Sequence, residues 1–450
     1  MGETRVRIVC TLGPASADVR ILSRMIMAGM RIARLNFSHG THQSHAAVLK
    51  ALRLAEKRTG ISVAVLQDLS GVKLRVGDLP ASGLKVHDGQ VLTLPGDIPF
   101  VGPASYVKAL RVGMEVFFDD GMLAGEVQRV RGGKAFIAMR QTGVLHAHKG
   151  INFPAVDVSQ AALTLKDRDD LVFGVEQGVD AVAVSFVTSP EILRDVRRRT
   201  RGQLLFAKIE RRMAIAHFDD IARAADGVLL GRGDLGVEVP FAEVPIIQKD
   251  LAHRSRELGK PFIVETHMLE SMRLHPRATR AEVSDVATAV FDGADAVMLS
   301  AESATGAYPV DAVQTMHSVI ATAEASFYAE AFLPSLPDDT ATHMCGPLLA
   351  LLAQHQWVDA IVVPYSLAPA LLAHRPHVPC FVAVAQEQQA RQALFLWGAQ
   401  TVLVDIAPAT FVARAKAILR RTKRIPHNAR VAFIVPDGVT GWTLQYTHFS

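Results

Sequence analysis

The sequence predicts an α/β protein built on a (β/α)8 TIM barrel, with an all-β domain inserted into it and a small α/β domain after it. Three observations carry this. Eight short apolar runs recur, each followed by a helical pattern, over roughly 250 residues once one interruption is set aside. The interruption, from about Val72 to Lys149, has turn glycines at short spacing and short alternating strands. A proline-rich stretch at 332–339 then precedes a final segment of roughly 110 residues in which helix and strand alternate again. A doubly wound open sheet is the runner-up, but it seldom uses eight consecutive units of such even size.

The first run is Arg7–Thr11, followed by a helix over 18–27 that Gly29 stops. The second run spans 32–37, and its helix over 42–57 stops at Gly60. The third spans 62–69. In the insertion, Gly77, Gly83, Gly89, Gly113, Gly121, Gly132, Gly133 and Gly143 mark turns, and Lys134–Met139 alternates as a half-buried strand. A helix with aspartates near its start covers 164–177. Strands are expected at 180–187, Leu204–Ile209, Gly227–Gly231, 261–266 and 294–300, and a helix over 310–327 completes the barrel. Strands at 360–363, Cys380–Val384, 401–404 and 431–435 belong to the last domain. The expected division is 1–71 with 151–335 for the barrel, 72–150 for the β-rich insertion and 336–450 for the C-terminal domain, which is open to a regulatory role.

Hydrophobic residues make up 49% and charged residues 20% of the 450, an ordinary globular balance. The net charge of +4 is slight and scattered. Arg197-Arg198-Arg199 and the basic run at 420–424 read as solvated helix faces, so no nucleic-acid partner is expected. No apolar run reaches the ~18 residues a membrane span needs. The N-terminus reads as a strand rather than a signal peptide. Cys10, Cys345 and Cys380 form no CxxC pair and fit free thiols in a reducing cytoplasm.

In such barrels the active site lies at the C-terminal ends of the strands. Those ends are polar here. The second carries Arg34, Asn36, Ser38 and His39; the third, Asp68; the fifth, Lys208 and Glu210; the sixth, Asp234; the seventh, Thr266; the eighth, Ser300 and Glu302. Alternation puts Lys208 and Glu210 on one side of their strand, and likewise Arg34, Asn36 and Ser38. A lysine beside two carboxylates can hold a divalent metal and an anion together. Six polar strand ends are hard to reconcile with a purely structural role.

The stretch Gly231-Arg232-Gly233-Asp234-Leu235-Gly236 matches the dinucleotide pattern G-x-G-x-x-G. It follows the sixth strand rather than the first, and it leads into Val237-Glu238-Val239-Pro240, which does not read as a helix start. A nicotinamide site is therefore not expected. The glycines still let backbone N–H groups approach an anion closely. No Walker A sequence is present.

Several stretches together resemble the pyruvate kinase family. They are Cys10-Thr11-Leu12-Gly13-Pro14-Ala15-Ser16, Ala28-Gly29-Met30, residues 33–39, Lys149-Gly150-Ile151-Asn152-Phe153-Pro154, Lys208-Ile209-Glu210, residues 232–238, 268–272 and 279–286, and Met298-Leu299-Ser300. The resemblance runs in order from residue 5 to about 330 and is weak beyond. It implies the fold read above, with the insertion acting as a lid, and phosphoryl transfer from phosphoenolpyruvate to ADP, giving pyruvate and ATP. It implies Mg²⁺ (or Mn²⁺) on Glu210 and Asp234, Lys208 neutralising the transferring phosphoryl, and Arg34 on phosphate. It places the substrate carboxylate on Gly233, Asp234 and Thr266, and the proton route on Thr266, Ser300 and Glu302. Arg75, Lys149, Asn36 and His39 would face the nucleotide. Asp119-Asp120-Gly121, a hairpin turn by default, matches an acidic turn the family brings to the site. A cytoplasmic homotetramer is the implied assembly.

Three departures matter. Lys73 in Asp68-Leu69-Ser70-Gly71-Val72-Lys73-Leu74-Arg75 stands where many members carry glutamate. Those members use K⁺ held by the equivalents of Asn36, Ser38, Asp68 and the Leu69 carbonyl. An ammonium at Lys73 would replace that cation and remove the K⁺ requirement; otherwise it is a solvent-facing lysine at the lid hinge. Glu265 replaces a small residue, and counting outward from Thr266 aims it at the helix layer, where it needs a partner. Pro364-Tyr365-Ser366-Leu367-Ala368-Pro369 offers few donors where sugar-bisphosphate-activated members have a phosphate turn, so no activation by fructose 1,6-bisphosphate is expected. The alternative function is a catalytically degenerate paralogue serving as metabolite sensor or scaffold. A lyase or mutase of the same barrel type has no use for the lid or Lys149.

Overall fold

The structure is a computed structural model and describes residues 3–119, 121–156, 163–326, 357–404, 410–436 and 442–448. Asp120, Cys345, the proline-rich stretch at 332–339 and the end of the 310–327 helix lie outside these residues.

Eight parallel strands close into a barrel: Arg7–Thr11, Met30–Asn36, Ala64–Asp68, Ala181–Val184, Leu204–Ile209, Gly227–Gly231, Phe262–Glu265 and Ala296–Leu299. Each pairs with its neighbours in sequence, and the first closes on the eighth with Arg7 opposite Ala296. The helices between them start and stop where local chemistry dictates. Asp18 accepts the N–H groups of Arg20 and Ile21 at the start of Val19–Ala28. Thr41 and Thr164 cap His42–Thr59 and Leu165–Glu176 in the same way. Gly60 ends the second of these helices at φ 69°, a left-handed conformation that costs glycine little.

Alternation sorts the strand residues into two sets. Val9, Ile32, Leu66, Ala183, Phe206, Leu229, Ile263 and Met298, one from each strand, fill the barrel interior. Their neighbours, such as Ile8, Ala33, Val65 and Val264, pack against the helices. One step of two residues further along each strand, the interior set becomes Thr11, Arg34, Asp68, Ser185, Lys208, Gly231, Glu265 and Ser300. The sequence periodicity that makes the core therefore also builds the polar rim above it.

The lower mouth is closed by the C-terminal segment. Phe395 enters the interior and lies 5.0 Å from the Phe206 ring. Around it, Arg375 pairs with Asp295 at 2.8 Å, and Arg391 with Asp180 at 2.8 Å. The C-terminal sheet runs Ala399–Leu403, Cys380–Val384, Ala360–Pro364, Arg430–Pro436, Trp442–His448, with the last strand antiparallel at the edge. That edge strand is additional to the four expected.

The insertion has a core of its own, including Val76, Leu94, Phe118, Ile137 and Phe153. It is not purely β, which departs from the all-β reading of its glycine spacing. Ala104–Ala109 forms a short helix that buries Tyr106 and Val107. Six residues are too few to display a helical period in sequence. Among the described residues, no helix is long and apolar enough to cross a membrane.

Candidate active site

The rim layer is one connected network of charge. Arg34 spans it, donating from Nε to Asp68 Oδ2 at 2.7 Å and from Nη1 to Thr11 Oγ1 at 2.9 Å. Its Nη2 lies 2.6 Å from Asp68 Oδ2. Ser185 donates to the other Asp68 oxygen at 3.2 Å. Lys208 sits at the centre, with its ammonium 2.9 Å from Glu210, 3.2 Å from Asp68 and 3.2 Å from Glu265. All five charged residues of this network are buried.

Burial sets the electrostatics. Desolvation works against the Lys208 ammonium, but Asp68, Glu210 and Glu265 together raise its pKa well above the ordinary lysine value. Asp68 is likewise opposed by burial, yet Lys208 and Arg34 hold it below the usual carboxylate range. Glu210 goes the other way. Burial, reinforced by Asp234, Glu265 and Asp68, pushes its carboxyl up to about 7 against the pull of Lys208. One Glu210 oxygen accepts the Phe186 N–H at 2.8 Å, and Phe186 adopts φ 55°. Such backbone conformations concentrate at functional sites.

Glu265 lies inside the rim rather than against the helix layer, and its partners are Lys208 and, at 4.0 Å, Arg34. The sequence expectation had the parity reversed because it counted from Thr266. Regular strand ends at Glu265, and Thr266 and His267 turn through φ 78° and 56°. Alternation counted from Ile263 in the core gives the observed direction. Arg232 holds this turn, donating to the Glu265 carbonyl at 3.3 Å and the Thr266 carbonyl at 2.6 Å while paired with Asp285.

The glycine-rich stretch also differs from expectation. Arg232–Glu238 is itself a helix of seven residues that starts directly after the sixth strand. The glycine pattern does open a helix here, and its position after the sixth strand rather than the first is what sets it apart from a dinucleotide site. Gly233 is required where Thr266 approaches, since a Cβ there would lie 2.8 Å from Thr266 Cγ2. Asp234 in the first turn of this helix is met by Lys73 Nζ at 3.2 Å. Lys73 therefore reaches Asp234 rather than Asn36, Ser38, Asp68 and Leu69. In that group, Asn36 accepts the Ser38 N–H at 3.0 Å, and the Leu69 N–H donates to the Ala183 carbonyl at 3.0 Å.

Around the rim, Glu302 is fully buried and accepts the N–H groups of Leu269 at 3.0 Å and Ser300 at 2.7 Å. Burial pushes its carboxyl up. Arg75 donates to the His148 carbonyl at 2.9 Å, and Lys149 lies 2.8 Å from Asp119. Burial, then the charges of Arg75, Arg34 and Lys73, lower the pKa of His39. The turn bearing Asp119 comes close to the Asp234 helix, since a Cβ on Gly121 would lie 3.9 Å from Val237. Thr11, Ser185, Gly231 and Glu265 belong to the rim but were not among the residues that the sequence assigned to the site. Stepping two residues from the interior positions Val9, Ala183, Leu229 and Ile263 finds all four.

Among the described residues, no group of three or more His, Cys, Asp or Glu side chains is gathered to hold a metal. Glu210 and Asp234 offer two carboxylates, each already holding a lysine ammonium. Two carboxylates fit Mg²⁺ or Mn²⁺ when substrate oxygens and water complete the shell. The rim pairs that donor set with two buried cations, a combination suited to neutralising a transferring phosphoryl group rather than forming a covalent bond to it. The fold and rim together define a barrel phosphotransferase.

Residues 3–313 match the family model described as the pyruvate kinase barrel domain. The chain is 39% identical over 420 residues to a pyruvate kinase of Geobacillus stearothermophilus, covering 89% of this chain and 71% of that protein. It is 36% identical over 419 residues to one of Staphylococcus haemolyticus, covering 89% and 72%. A crystal structure of a pyruvate kinase from Cryptosporidium parvum superposes with a TM-score of 0.91 at 28% identity, covering 99% of this chain and 96% of that one. The chain belongs to the pyruvate kinase family.

Proposed function

We propose that the chain transfers the phosphoryl group of phosphoenolpyruvate to ADP, giving pyruvate and ATP, without needing K⁺. The observation that carries the reading is Lys208, a buried ammonium held at a strand end beside Arg34 and a pair of metal-capable carboxylates.

Glu210 and Asp234 would hold Mg²⁺ or Mn²⁺, which would supply positive charge to offset that of the substrate and the transferring phosphoryl group. Lys208 turns from its carboxylates to the phosphoryl group and offsets the charge spread over its oxygens. As a compact point charge on a flexible stem it suits that movement. Arg34, fixed by Asp68 and Thr11, presents its guanidinium to phosphate. The N–H groups of Gly233 and Asp234 lie in the first turn of a helix and hold the substrate carboxylate together with Thr266. Thr266 and Ser300 line the path of the proton to the enolate carbon. Glu302 acts behind them through the Ser300 N–H. Arg75, Lys149, Asn36 and His39 face the nucleotide from the lid base and the second strand end. Lys73 adds an ammonium to the rim, on Asp234 rather than on the residues that would hold a monovalent ion, and the reading that no such ion is required rests on that added charge. Asn36, Ser38, Asp68 and Leu69 are the residues around which such an ion would otherwise sit. The working assembly is a cytoplasmic homotetramer.

Purified protein given Mg²⁺, ADP and phosphoenolpyruvate in buffer free of Na⁺ and K⁺ tests the whole reading. Equal formation of pyruvate and ATP is expected, with no more than a small gain on adding K⁺. A strict K⁺ requirement would remove the role given to Lys73. No product with either salt would favour the sensor or scaffold alternative.

A further inference from the structure

Both carboxylates assigned to the divalent cation carry a lysine. Lys208 lies 2.9 Å from Glu210 Oε1, and Lys73 lies 3.2 Å from Asp234 Oδ1. Before Glu210 can serve a metal, Lys208 must release it without leaving the site. Glu265 supplies somewhere for the ammonium to stay. Its Oε1 is 3.2 Å from Lys208 Nζ, and its Oε2 is 4.0 Å from Arg34 Nη2.

This placement is built into the chain. Glu265 is 4% exposed. Its backbone is pinned by Arg232, which is itself anchored by Asp285 at 2.7 Å. Gly231 leaves the space both carboxylates share. A Cβ at that position would lie 2.9 Å from Glu210 Oε1 and 3.1 Å from Glu265 Oε1. A side chain at 231 would displace one or both carboxylates from the positions in which they meet one ammonium. The charge balance points the same way. Arg34, Lys73 and Lys208 face Asp68, Glu210, Asp234 and Glu265. Without Glu265, Lys208 keeps only Asp68 once Glu210 turns away, so it holds Glu210 more tightly against an incoming cation.

We propose that Glu265 is a positioning residue of the phosphoryl-transfer site: with Asp68 it keeps Lys208 seated while Glu210 turns to the divalent cation. The proposal rests on the reading of Glu210 as a metal carboxylate.

The test compares the full chain with Glu265→Ala and Glu265→Gln. Mn²⁺ binding is followed by electron paramagnetic resonance without substrates, and kcat, KM for phosphoenolpyruvate and the half-saturating Mg²⁺ concentration are measured separately. Glu265→Ala weakens Mn²⁺ binding about tenfold and lowers kcat by a similar factor, the size typical of losing a partner that orients a metal ligand. KM for phosphoenolpyruvate moves less than kcat. Glu265→Gln keeps an oxygen for Lys208 without the charge and falls between the two. A merely structural role would lower the active fraction and leave Mn²⁺ affinity in place. If the alanine variant does not fold, the glutamine variant, of nearly equal shape, carries the test. Unchanged Mn²⁺ affinity and kcat in a folded variant overturn the proposal alone. Failure of the unsubstituted protein to bind Mn²⁺ overturns the reading of Glu210 and the proposal with it.

Discussion

Both mouths of the barrel hold buried carboxylates but use them differently. At the lower mouth, each carboxylate fastens chain to chain. Asp180 accepts the Val65 N–H at 2.8 Å and the Arg391 guanidinium at 2.8 Å. Asp295 accepts the N–H groups of Phe262 at 2.9 Å and Trp397 at 3.1 Å as well as Arg375. Backbone donors cannot leave, so each carboxylate is fixed in the barrel, and Arg391, Arg375 and the Trp397 N–H then join the C-terminal segment to it. At the upper mouth, Asp68 and Glu265 are held by Arg34 and Lys208, long side chains that can swing to another anion. The same chemistry is a fastener where the partner is backbone and an exchangeable reserve where the partner is a lysine.

Removing a charge at each mouth separates the two roles. Asp68→Asn takes the shared carboxylate from Arg34 and Lys208, and kcat falls about a hundredfold, the upper range for losing such an orienting partner. Its melting temperature changes less than that of a lower-mouth variant. Arg375→Met leaves the Asp295 charge buried with only backbone donors, and the Gly293 carbonyl loses the donor that meets it at 2.6 Å. Chemical denaturation then shows a loss of about 3 kcal/mol, while kcat per folded molecule is unchanged. A large kcat loss in Arg375→Met would mean the two mouths are coupled. Lys73→Glu sharpens the upper mouth itself. A carboxylate beside Asp234 costs about tenfold in turnover in K⁺-free buffer, and adding K⁺ recovers part of it. No response to K⁺ in that variant would show that Lys73 does not stand in for a cation.

Much of this architecture was legible in the sequence because it rests on local rules. The barrel strands follow from apolar runs, and the helix ends from Asp18, Thr41, Thr164 and Gly60. Arg34, Asp68, Lys208, Glu210 and Asp234 could be read because they fall where those strands end. What could not be read depends on a change of local rule. Thr266 and His267 adopt positive φ, so alternation counted through them misplaced Glu265. Gly233 and Gly236 concealed the helix Arg232–Glu238, whose short length and low propensity leave no pattern. The edge strand Trp442–His448 has much of its length facing solvent and so lacks an apolar run. Which carboxylate Lys73 reaches depends on how the insertion seats over the rim, and a long flexible side chain gives no sequence signal for that.

The account turns on Lys208 as the group that neutralises the transferring phosphoryl while Glu210 and Asp234 hold the metal. The most direct measurement pairs turnover with Mn²⁺ binding in Lys208→Met. The account predicts that turnover falls by about a thousandfold, in line with removing a transition-state cation from a phosphoryl-transfer site. Mn²⁺ binding persists, since Glu210 then has no ammonium to release. Turnover within about tenfold of the unsubstituted enzyme, a barrier change of only about 1.4 kcal/mol, would contradict it.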